Sequence, residues 1–168
     1  MHKLAKKYID MLQLKLHPEG GYYKEVYRAG ELILPDGLPG RYDKPRACST
    51  SIYFLLEGKQ FSAFHRLKTD ELWHFYDGSS LKIYMIDEKD NFNEITLGKD
   101  LNYGETFQAI IKKNTWFAAE LIDKNSFALI GCTVAPGFEF SDFELGKREQ
   151  LVEQYPLYRN LIEQLTKS

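Results

Sequence analysis

The sequence predicts an all-β domain with flanking helices, on three observations. From residue 49 onward, short runs rich in aromatic and β-branched residues follow one another, with turn residues between them. Near both ends the apolar residues switch to helical spacing. Tyr, Phe and Trp make up 14% of the chain and fall mostly inside the runs, as strands favour. Many short strands at even spacing mean a sandwich or a barrel.

The elements follow in order. Leu4, Tyr8, Met11 and Leu12 recur at helical spacing with lysines between, predicting an amphipathic helix over residues 3–14 that the turn His17-Pro18-Glu19-Gly20-Gly21 stops. A first strand covers residues 22–27. Pro35, Gly37, Pro39 and Gly40 then make 30–45 a surface loop. The dense strand region begins with "STSIYFLL", "FSAFHRL", "ELWHFY" and "LKIYMID" and continues through "EITL", "ETFQAIIK", "TWFAAEL" and "SFALIGCTV". The barrel is expected over about residues 22–145. Leu151 and Val152, then Tyr158, Leu161, Ile162 and Leu165 beyond Pro156, predict a broken helical tail over 146–166. With no repeat, linker or low-complexity tract, residues 1–168 read as one domain.

Composition narrows the partners. The 22 basic and 24 acidic residues nearly balance, so neither nucleic acid nor an anionic membrane is expected, and a small molecule is. No apolar run reaches the ~20 residues that span a bilayer, and the first residues lack the pattern of a secretory signal. A cytoplasmic location is the expectation. Cys48 and Cys132 match no metal or redox spacing and are read as reduced thiols without a role.

Strand alternation selects the candidate site residues. In "FSAFHRL", Ala63, His65 and Leu67 share a face opposite Ser62, Phe64 and Arg66. In "ELWHFY", Glu71, Trp73 and Phe75 oppose Leu72, His74 and Tyr76. With His65 and Glu71 both inward, a barrel holds an imidazole beside a carboxylate, a pair suited to proton transfer. Tyr23, Glu25 and Tyr27 alternate onto one face as well, and a buried Glu25 would need a partner or a role. Trp73, Trp116, Phe117 and Phe138 are candidates for an aromatic wall around a ring-shaped ligand. Taken singly, each of these has a plainer reading: a hydrogen-bonded core histidine, a wet rim glutamate, packed core aromatics.

The segment "GKQFSAFHRLKTDELWHFYDG" resembles the first cupin motif, G-x5-H-x-H-x3,4-E-x6-G. His65 matches the first histidine, Glu71 the glutamate and Gly78 the closing glycine. Leu67 stands in place of the second histidine. "GETFQAIIKKNTWFAAEL" resembles the second motif, with Phe117 in place of its histidine and Lys112 in place of its proline. Four stretches, at 17–23, 49–56, 64–78 and 131–146, are similar to one cupin subfamily known as a domain of unknown function. The resemblance implies a cupin jelly-roll β-barrel and points toward the architecture of the sugar-nucleotide epimerases, homodimers that use an interior histidine without a metal.

On that resemblance the expected activity is binding of a small polar or sugar-like metabolite. His65 would move a proton, oriented by Glu71 or Glu25, in a metal-independent epimerase or isomerase. A binding module without chemistry is the alternative, and a metal-dependent cupin with a reduced ligand set is the second alternative. Four histidines, His2, His17, His65 and His74, are too few inward-facing imidazoles for a three-histidine site, so no cofactor is expected. A divalent metal, if held, would use His65 and Glu71. Phe64, Leu72 and Tyr76 point outward and need covering by a helix or a partner, consistent with a homodimer.

Overall fold

The computed structural model describes residues 2–167. Helix α1 (Lys3–Leu12) ends two residues before the expected 14, because Gln13 takes a left-handed φ of 57° and its N–H turns back to the Asp10 carbonyl. Among the described residues thirteen strands follow. They begin with β1 (Lys15–Leu16), β2 (Tyr22–Arg28), β3 (Leu32–Ile33), β4 (Arg46–Ala47) and β5 (Thr50–Glu57). Next come β6 (Phe61–Leu67), β7 (Glu71–Gly78), β8 (Leu81–Ile86) and β9 (Phe92–Leu97). The last are β10 (Gln108–Ile111), β11 (Trp116–Leu121), β12 (Phe127–Val134) and β13 (Phe143–Leu145). Helices α2 (Arg148–Gln154) and α3 (Arg159–Gln164) close the chain. Pro156 separates the two, since it cannot donate within a helix.

A six-stranded sheet, β1-β2-β5-β12-β7-β10, faces a five-stranded sheet, β13-β6-β11-β8-β9, and every ladder within them is antiparallel. This is a jelly-roll β-barrel. Strands β3 and β4 pair inside the stretch expected to be a loop. The period-2 patterns explain which faces meet: in β8, Leu81, Ile83 and Met85 are buried, while Lys82 and Tyr84 are only partly so.

Helices cover the outer faces. Ala5 of α1, with Leu14 just beyond its end, packs on Leu55, Phe127 and Leu129 of the six-stranded sheet. Leu151, Ile162 and Leu165 of the tail pack on Phe64, Trp116 and Ala118 of the other sheet. Phe64 thus finds its cover within the chain. Leu72 stays half-buried and Tyr76 half-exposed on the outer face of the six-stranded sheet. Among the described residues no helix is long and apolar enough to cross a membrane.

Candidate functional site

The strands bring ionisable side chains together at one end of the barrel interior. A cavity of about 280 Å³ opens there, lined by His17, Glu19, Tyr23, Glu25, Arg28, His65, Glu71, Cys132 and Phe138, among others. That volume lies just under the roughly 300–1,000 Å³ of ordinary ligand pockets, which suits a small metabolite better than a nucleotide.

Glu19 enters through a turn. Gly20 has φ 123°, and a Cβ there would collide with the Phe61 carbonyl, so only glycine lets this turn lie against β6. The approach is sealed by the Ala63 N–H donating to the Glu19 carbonyl at 3.0 Å and by Ser62 Oγ donating to Glu19 Oε1 at 2.8 Å. Ser62 was expected on the face opposite His65. The β6–β11 register shifts between His65↔Phe117 and Ser62↔Ala119, and this bulge puts both residues on the inner face.

His65 is 2% exposed and lies with its ring centroid 4.0 Å from that of Phe117. Its Nδ1 is 2.7 Å from the Ala63 carbonyl, which can only accept, so Nδ1 carries a hydrogen. Its Nε2 faces Glu19 Oε2 at 3.1 Å. A hydrogen bond there requires a proton on one of the two. Burial raises the Glu19 carboxyl and lowers the His65 imidazole, and both directions favour the neutral pair, with the proton on Glu19. His17 Nδ1 accepts the Glu19 N–H at 3.3 Å, and burial lowers this imidazole as well.

Glu71 differs from its neighbours in being unsatisfied. It is 8% exposed, and among the described residues Oε2 accepts no well-formed hydrogen bond, although the Trp73 indole and the Cys132 thiol lie near enough to favour its charged form slightly. Burial pushes its carboxyl up to about 7, against the opposing pull of His65. The Cys132 thiol, raised chiefly by burial, adjoins it.

At the mouth Arg28 uses four of its five N–H groups. It donates from Nε and Nη2 to the two oxygens of Glu25, at 3.0 and 2.8 Å, from Nη1 to Glu139 at 2.8 Å, and from Nη2 to the Phe138 carbonyl at 3.1 Å. Phe138, Phe140 and Phe143 pack edge-on against one another on the cavity wall, with centroids 5.1–6.4 Å apart.

Of the residues picked from the sequence, His65, Glu71, Glu25, Tyr23 and Phe138 line the cavity. Four do not. Tyr27 is 53% exposed, because the β2–β5 register shifts between Glu25 and Tyr27 and turns Tyr27 out and Arg28 in. Trp116 lies under the helical tail, since it alternates with Phe117 and cannot share its face. Trp73 and Phe117 do point inward, but pack against each other and Phe54 in the apolar core beside the cavity. His74 faces outward, accepting from Gln108 at 3.1 Å. The carboxyl against the His65 ring is Glu19 rather than Glu25. Glu19, His17 and Arg28 were missed. The paired glycines of "HPEGG" were the available signal, since a double glycine marks a close backbone approach.

The cavity residues do not fit the metal set of the cupin motifs. Leu67 and Phe117 fill two of the four positions with apolar groups, and both ring nitrogens of His65 already face protein oxygens. No three His, Cys, Asp or Glu side chains among the described residues are grouped so as to hold a metal ion.

Comparison with known proteins agrees with this architecture. Residues 6–146 match the family model described as "Cupin superfamily (DUF985)". A protein of Shewanella oneidensis has a solved structure similar at a TM-score of 0.88, with 38% identity over 97% of each chain. A hypothetical protein from Leishmania major follows at 0.85 and 31%, covering 98% of this chain and 99% of its own. Oxalate decarboxylase from Bacillus subtilis shares the fold at 0.55 with 15% identity, over 89% of this chain and 36% of its own.

Proposed function

This chain belongs to the Cupin superfamily (DUF985), and we propose that its barrel cavity binds a small polar, sugar-like metabolite and moves a proton on it, as an epimerase or isomerase does. The observation that carries the reading is Glu71 Oε2, buried and unpartnered, in the same cavity as a His65–Glu19 pair that holds one proton between them. Two groups of different proton affinity are what a proton abstraction and return require. Glu71, near 7, is divided between its two forms at neutral pH and can accept a proton from a carbon beside a carbonyl. The His65–Glu19 pair supplies the proton that returns, which leaves Glu71 protonated and Glu19 ionised, and exchange of these protons with solvent through the open end restores both. This differs from the expectation that His65 abstracts the proton: here Glu71 abstracts it, and Glu19, facing His65 Nε2 at 3.1 Å, holds the one that returns.

The test is exchange with solvent. Free aldoses and ketoses are incubated with the protein in heavy water and followed by NMR for deuterium entering carbon. The expected result is incorporation into at least one sugar, reduced about 10²–10⁴-fold by Glu71→Gln or His65→Asn. A second reading, a binding module without chemistry, is favoured by the engagement of both His65 ring nitrogens. Sugars that bind without any carbon-bound deuterium would establish it and remove the isomerase.

A further inference from the structure

The charges around the cavity do not balance. Four glutamates line it; with Glu19 protonated beside His65 and Glu71 divided between its forms near pH 7, Glu25, Glu139 and part of Glu71 stand against the single guanidinium of Arg28. Arg28 gives four of its five N–H groups to Glu25, Glu139 and the Phe138 carbonyl, which leaves one Nη1 N–H, flanked by two carboxylates, for an incoming anion. His17 and His65 are buried imidazoles whose burial disfavours their charged forms. Lys167, near enough to act on Glu19, lies outside the lining and donates to the Pro18 carbonyl. A carboxylate or phosphate entering this cavity would meet net negative charge and a single spare guanidinium N–H, in surroundings where water screens little.

The mouth has the opposite preference. Phe140 is 54% exposed beside the half-exposed carboxylates of Glu25 and Glu139, in an aromatic cluster with Phe138 and Phe143. Ring faces and carboxylates together are the surroundings in which ammonium groups are held. Deeper in, the unpartnered Glu71 Oε2 is the place for the ligand's polar end.

We propose that the ligand of this cavity is an amine-bearing small molecule without any anionic group, its ammonium seated among Phe138, Phe140, Glu25 and Glu139 and its uncharged end against Glu71. This rests on the reading of the cavity as the ligand site and adds the ligand's charge class to it.

Three probes that share one ring and differ in charge test it: benzylamine, benzyl alcohol and benzoate, titrated into the protein at low salt and followed by NMR shifts of the backbone amides. Benzylamine is expected to bind at least about tenfold tighter than benzyl alcohol, and benzoate not at all up to millimolar concentration. In Glu139→Gln, a surface change that leaves the barrel core untouched, the amine's advantage should fall at least about threefold while the alcohol's affinity stays the same. Equal affinities for amine and alcohol, no amine binding, or preferential binding of benzoate would each overturn the proposal. The solvent-exchange experiment separates the two conclusions. Deuterium incorporation that depends on Glu71, together with no amine preference, would remove the ligand class and leave the proton transfer standing. Amine preference without incorporation would do the reverse.

Discussion

The two ends of the barrel interior are equally buried and differ in what they bury. At the closed end Leu56, Leu81, Ile83, Leu97, Phe117 and Ile130 are 0–1% exposed and wholly apolar. At the open end Glu19, His65, Glu71 and Cys132 are 2–8% exposed, and three of them carry ionisable groups whose charged forms burial disfavours in the usual pH range. The same strands serve both. Along their inner faces β7 passes from Glu71 to Phe75, β12 from Cys132 back to Ile130 and β5 from Thr50 to Leu56, each from polar at the open end to apolar. Burial alone therefore does not locate a site in this fold, nor does incomplete hydrogen bonding alone, since Trp73 Nε1 and Trp116 Nε1 are also buried without a partner among the described residues; an unsatisfied ionisable group on the cavity wall does. A buried polar atom without a partner costs stability, and Glu71 Oε2 is such an atom.

Phe117 marks the boundary, packed on Trp73 on one side and on His65 on the other. Phe117→Ala should have the largest effect, a loss of about 3–5 kcal/mol by urea unfolding, from lost transfer energy and the void left behind. A loss below about 1 kcal/mol would mean that the closed end is not the packed half of the comparison.

How much of this was legible in the sequence follows from the kind of pattern each feature leaves. The barrel and its helices were, because alternation and helical spacing persist over whole elements, as in Leu81, Ile83 and Met85. His65 and Glu71 reach the cavity on strands whose alternation holds locally. Tyr27 did not follow its pattern, since one extra residue in β2 reverses every face beyond it. Glu19 and His17 lie in a turn, which has no period to read, and their place depends on the backbone freedom of Gly20. Trp73 shows a further limit. Alternation points it inward correctly, but distance along the barrel axis, which alternation does not encode, decides between core and cavity.

Glu71→Gln should act in the opposite sense to Phe117→Ala. A carboxyl whose folded pKa is raised to about 7 from an ordinary 4.5 holds its proton more tightly folded than unfolded. Its stability contribution is complete below about 4.5 and is lost as pH rises through 7. At pH 8 the wild type carries that full cost, up to about 3 kcal/mol, and the neutral amide does not. Thermal or urea unfolding across pH 4–8 should show the variant gaining on the wild type as pH rises, with little difference at pH 4. A gap that is flat with pH would mean that Glu71 is not the strained member of the open end.

The smallest expected effect on stability is at the mouth. Phe140 is 54% exposed and contributes little to either half of the interior, so Phe140→Ala should leave unfolding unchanged within about 0.5 kcal/mol. Its ring face is, however, part of the aromatic cluster proposed to hold an ammonium, a contact worth about 0.5–1 kcal/mol at an exposed site. Benzylamine should therefore bind about two- to fivefold more weakly to the variant, with benzyl alcohol changed less. Loss of stability without loss of amine affinity would place Phe140 with the packed core after all, and the line between the two ends would have to be drawn further out.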